Sequence, residues 1–102
     1  MDYDTDRLTA LQTRAAHQRE RALALSEQLQ QPSARVHLVA PAVKHIDDVL
    51  SLWLPQAAKA NTPEVEALAL GSAEMFLGLA DGILDHAQKT LDTYGPHVVA
   101  IG

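Results

Sequence analysis

Five histidines, thirteen carboxylates and no cysteine bound the chemistry open to this 102-residue chain. His17 with Glu20, and His45 with Asp48, lie three residues apart, a spacing that shares one helix face. Helical proteins that hold paired metals use the order Glu-x-x-His with further glutamates projecting inward. Here the order is reversed, so surface ion pairs are the expectation. A metal reading would have to recruit His45, Asp48 and His86. Without cysteine there is no disulfide, no thiolate nucleophile and no Cys-based zinc site.

Glu74, Asp81, Asp85 and Asp92 are the carboxylates whose spacing invites an acid–base reading. Such work needs a pocket that drives two pKa values apart. A stripe along one helix is more simply a solvated face, or a row that docks on Arg7, Arg14, Arg19 or Arg21. Ser26, Ser33, Ser51 and Ser72 lie in no nucleophile-elbow context, and no glycine-rich phosphate loop is present. The expectation is a protein that is not an enzyme and carries no cofactor or metal.

Charge narrows the partners. The net charge is −5, and the excess sits in one place. Residues 1–35 carry five arginines against five acids, and residues 36–61 two lysines against two aspartates. Residues 62–102 set only Lys89 against six acids. A nucleic-acid binder presents a net basic face, so none is expected here. The acidic, polar start "MDYDTDRLTA" has no secretory pattern. No run of about 18 uninterrupted apolar residues exists, and Glu74, Asp81 and Asp85 would be costly in lipid, so no membrane span and a cytoplasmic location are expected.

Three helices must position these residues within a single helical domain, 1–102. Over residues 5–31, Leu8, Leu11, Ala15, Ala22, Leu25 and Leu29 fall on a heptad seam interrupted by Gln18, the narrow stripe of a coiled coil. Pro32 ends it. Over 34–58, Val36, Val39, Val43, Ile46, Leu50, Trp53 and Ala57 keep a 3–4 spacing, which favours helix, kinked or starting near Pro41. The segment 35–40 reads as strand or helix. Thr62 as N-cap, Pro63 at the first position, and Gly95 with Pro96 at the end bound a helix over 63–94. Residues 95–102 form an apolar tail.

On a wheel at about 100° per residue with Glu74 at zero, the four acids make one narrow stripe. An apolar arc runs from about 100° to 320°, roughly twice the width a surface helix usually shows. The row Leu70, Leu77, Leu84 and Leu91 borders one edge of that arc, and Met75 and Phe76 lie within it. These six residues are the expected interface, because two helices with narrower stripes would leave part of the arc bare. Gly71, Gly78 and Gly82 cluster between the acids and the arc, where close approach of another backbone would offset their cost in a helix. The fold expected is all-α: a three-helix antiparallel bundle with a long C-terminal helix, assembling into a helical homo-oligomer, a dimer first. The function expected is a small interaction protein acting as an adaptor, chaperone-like partner or regulatory subunit, with a heterologous protein as a further candidate partner. The alternatives are a hydrophobic ligand held between Trp53, Met75, Phe76 and Leu79, and the metal reading above.

Overall fold

The computed structural model describes residues 5–99. It contains three helices and, among the described residues, no strand. α1 is Thr5–Gln28, α2 spans residues 32–59, and α3 is Pro63–Tyr94. They form a rod of 51 × 21 × 16 Å.

α1 stops three residues short of the expected end. Its last turn is closed by other segments: the Arg35 Nε donates to the Leu29 carbonyl at 2.7 Å, and the Gln30 N–H donates to the Pro96 carbonyl at 2.7 Å. Gln31 is extended, as a residue before proline must be, and Pro32 opens α2 at a position where its missing N–H costs nothing. The α1 seam is buried as a continuous line: Leu11, Ala15, Gln18, Ala22, Leu25 and Leu29, with Leu8 packed against it.

α2 is helical throughout, 35–40 included, but not uniformly α. Arg35–Val39 and Val49–Trp53 are π turns, in which the Ala40 N–H donates to the Arg35 carbonyl and the Leu54 N–H to the Val49 carbonyl. Each wide turn lies just ahead of a proline, Pro41 or Pro55. A proline inside a regular helix drives its ring into the carbonyl four residues back. Widening the preceding turn relieves that clash. It also inserts one residue into the turn, and the buried line records the insertion. Across the first wide turn Leu38 and Val39 are buried side by side after Ala34, and across the second the buried positions Val49 and Leu54 lie five apart, whereas Val39, Ala42, Ile46 and Val49 between them keep steps of 3, 4 and 3. The uniform 3–4 pattern expected for α2 therefore needs correction. Val36 is exposed, while Val43, Leu50 and Trp53 are only partly buried, because the seam passes through their neighbours.

α3 has the expected bounds. The Thr62 hydroxyl accepts from the Val65 N–H at 3.2 Å, Pro63 occupies the first turn, and Gly95 leaves the helix at φ 84°. Of the tail, residues 95–99 are described. Val98 packs on the core end of the bundle and Val99 is exposed, while 100–102 lie outside the described residues. By length and composition alone α3 is long and apolar enough to cross a membrane. Three of its acids, Glu74, Asp81 and Asp85, are paired with arginines of α1.

The buried line of α3 alternates Leu70, Ala73, Leu77, Ala80, Leu84, Ala87 and Leu91 at heptad spacing. Leu70, Leu77 and Leu84 are fully buried and Leu91 is 7% exposed. This corrects the expectation that these four leucines form an uncovered row. They are the centre of the chain's own core. The bare edge of the apolar arc is the opposite one, where Leu68, Met75 and Leu79 are 69%, 56% and 49% exposed. Truncating Leu77 or Leu84 to Ala should therefore cost about 2–5 kcal/mol of stability in urea unfolding. Leu68→Ala should change the stability of the monomeric chain, at a dilution where it does not associate, by less than about 1 kcal/mol. Equal effects at the three sites would contradict this assignment of inside and outside.

Candidate interaction surfaces

The first surface is the contact between α1 and α3. Arg7 pairs with Glu74, Arg14 with Asp81 at 2.7 Å, and Arg21 with Asp85 at 2.8 Å. The numbers rise together, so α1 and α3 run parallel and α2 returns between them. In heptad lettering that places both seams at a and d, Arg7, Arg14 and Arg21 fall at g, while Glu74 and Asp81 fall at e. Such flanking pairs set orientation between parallel, heptad-packed helices. The third e position is Gln88, which donates to Asp92 at 2.9 Å; the third pair uses Asp85 instead. All six groups suggested for charge docking are thus brought together, and they are used inside the chain. Arg19 goes elsewhere, to Asp47 of α2 at 3.2 Å. Each pair is substantially solvated, which limits a single bridge to roughly 0.2–1 kcal/mol.

Gln18 is the polar member of the α1 seam and is 5% exposed. Its Nε2 donates to the Leu77 carbonyl at 3.0 Å and to Asp81 Oδ1 at 2.6 Å. Its Oε1 is buried without a partner. The residue thus ties one level of α1 to one level of α3 beside the Arg14 bridge, and carries the desolvation cost of an unpaired acceptor in doing so.

The second surface faces outward. Along α3, Leu68, Met75 and Leu79 share an exposed strip with Gly71, Gly78 and Gly82. Val65 extends it toward the start of α3, and Leu52 and Val36 lie exposed on α2. A Cβ built on any of these three glycines meets nothing within 4 Å. The close helix approach expected at Gly71, Gly78 and Gly82 therefore does not occur within the chain. Between α2 and α3, a shallow groove of about 420 Å³ is bordered by Pro41 and His37 on one side and by Gly78, Leu79, Gly82 and His86 on the other. The edge holding Leu68 and Leu79 carried the same sequence signal as the leucine row. What was missing was the side from which α1 approaches.

The third cluster is aromatic. His45 stacks on Phe76 with centroids 5.4 Å apart, and Trp53 stacks on the same ring at 6.0 Å. Phe76, expected at an interface, is thus partly buried under α2. The space imagined for a ligand between Trp53 and Phe76 is occupied by these ring contacts, and Met75 and Leu79 point away to the exposed strip. His45 Nδ1 is buried and unpartnered. His45, Asp48 and His86 do not converge. Among the described residues no group of three His, Cys, Asp or Glu side chains could hold a metal ion.

Compared with known proteins, the chain matches no family model, no curated protein and no solved structure.

The α1–α3 contact yields a test. Gln18→Leu removes the orphaned acceptor while the Leu77 carbonyl keeps its helix and Asp81 keeps Arg14. The unfolding free energy should rise by about 1 kcal/mol, seen as a higher urea midpoint at unchanged slope. A double-mutant cycle on Arg14 and Asp81 should give a coupling below about 1 kcal/mol. A lower midpoint for Gln18→Leu would mean that its two hydrogen bonds outweigh the buried Oε1.

Proposed function

We propose that this protein is a non-enzymatic interaction module that works through the exposed apolar strip of α3, pairing first with a second copy of itself. The observation that carries the reading is the alignment of Leu68, Met75 and Leu79 along one solvent-facing edge of a helix whose other apolar edge is sealed. Scattered surface leucines need no explanation; an aligned apolar strip beside an apolar groove marks an interface. Its charged side chains support the same reading. The arginines of α1 that would serve a nucleic acid are engaged with carboxylates, Arg7, Arg14 and Arg21 with α3 and Arg19 with α2. An adaptor or regulatory subunit is the role such a rod serves: its length offers a continuous helical face, and its paired charges fix the order of its own helices.

Light scattering across a concentration series tests this. The native chain should approach twice the monomer mass of 11.0 kDa. Leu68→Glu with Met75→Glu should remain monomeric with unchanged helicity, since both positions are exposed. A native chain that stays monomeric into the millimolar range overturns the proposal. So does a monomer that floats with phosphatidylcholine vesicles and loses this in the same double variant, which would make the strip a lipid contact.

A further inference from the structure

The exposed strip has an order along the helix that selects how a second copy would lie on it. From the start of α3 it reads Glu64, Leu68, Gly71, Met75, Gly78, Leu79, Gly82, His86 and Lys89, with Ser72 half-buried at its edge. Glu64 and Lys89 are both exposed, and neither takes part in an ion pair among the described residues. The free charge on this face is therefore acidic at one end and basic at the other.

Resting on the self-association proposed above, we infer that two copies pair antiparallel along α3, with the two-fold axis at Met75. Under that symmetry residue i faces residue 150 − i. Leu68 then meets the partner's Gly82, Leu79 meets the partner's Gly71, and Ser72 meets the partner's Gly78. Each large side chain enters a gap left by a glycine, and the two Met75 side chains meet at the axis. Leu68 enters the partner's groove where Gly78 and Gly82 border it. Glu64 comes to lie opposite the partner's His86 and within a turn of the partner's Lys89, so the free charges pair at both ends. Parallel, in-register pairing does the reverse. It sets Glu64 on Glu64, Lys89 on Lys89, and glycine on glycine, with the leucines colliding. Charge and shape select the antiparallel arrangement together.

The absence of native cysteine makes disulfide mapping clean. Under mild oxidation Met75→Cys should give a covalent dimer. Leu68→Cys alone should not, because antiparallel pairing holds the two sites about 20 Å apart at 1.5 Å rise per residue. Leu68→Cys combined with Gly82→Cys in one chain should bridge efficiently. A second measurement has opposite signs in monomer and dimer. Gly82 is exposed and a Cβ there is unopposed in the isolated chain, so Gly82→Leu points its added bulk outward and blocks the seat of Leu68. Its dissociation constant should rise at least tenfold with no loss of monomer stability. Efficient bridging by Leu68→Cys alone, in a chain of dimer mass, overturns the antiparallel arrangement and leaves self-association standing. A dimer of native mass in which none of these variants bridges, and which tolerates Gly82→Leu, overturns the inference and the assignment of the face. A native chain that is monomeric removes the reading on which both rest.

Discussion

Everything in this bundle depends on the alternation of leucine and alanine along one seam of α3. Leu70, Leu77, Leu84 and Leu91 supply apolar bulk, and Ala73, Ala80 and Ala87 between them leave room for another helix to approach. Only four residues of the chain are Phe, Trp or Tyr, so the core has almost no large rings to fill space. Interiors must nevertheless reach close packing. With small side chains, the way to reach it is to bring the backbones together. The facing seam of α1 obeys the same logic, with Ala15 and Ala22 fully buried between larger neighbours.

Close approach makes direction matter, and the polar groups beside the seam specify it. Leucine and alanine at heptad spacing would also pack with the helices slid by one repeat. Arg7–Glu74 and Arg14–Asp81 share one offset of 67 residues, Arg21 reaches Asp85 a turn earlier, and Gln18 reaches Leu77 and Asp81 in the same register. None of these contacts contributes much stability alone, since the ion pairs are solvated and Gln18 leaves an acceptor unpaired. Their effect is on the alternatives: a slip would leave an amide buried with no partner. α2 meets the same demand for a continuous seam differently. Its two interior prolines, Pro41 and Pro55, forbid a regular helix, and the two wide turns absorb them while keeping Ala34 through Ala57 on the buried side.

How much of this was legible follows from what each pattern encodes. The α1 seam could be read residue by residue, because a narrow stripe has a single centre. The bounds of α3 were legible because Thr62, Pro63 and Gly95 are stereochemical signals that act locally. The pairing of Arg7 and Arg14 with Glu74 and Asp81 was available as a shared seven-residue period on two helices, and Arg21 takes Asp85 because the next position of that period is Gln88. The wide turns of α2 were hidden, since an inserted residue is invisible to any count that assumes 3.6 per turn, and Val36 took the place of Ala34 and Leu38 in the expected seam. The edge of α3 left bare was reversed for a related reason. A wheel gives the width of an apolar arc but not the azimuth from which neighbours arrive. Here the acid stripe held the answer. Once the acids bind α1, the large side chains bordering the stripe must be the ones α1 covers, and the glycine border offers it too little surface to bury.

The glycines then become the part of the fold that the single chain does not account for. Each costs about 1 kcal/mol relative to alanine within a helix. Glycine in a helix is ordinarily offset by a close contact or by a backbone angle closed to other residues. Gly71, Gly78 and Gly82 have neither, being helical, exposed and free of any neighbour that a methyl group would touch. They alternate with Leu68, Met75 and Leu79, which are exposed at equal expense to solubility. The inner seam of α3 carries the same device with leucine and alanine, and there the partner helix is present. The outer strip repeats the inner one with still smaller small residues, and the self-association proposed above would give it the neighbour that the inner seam already has.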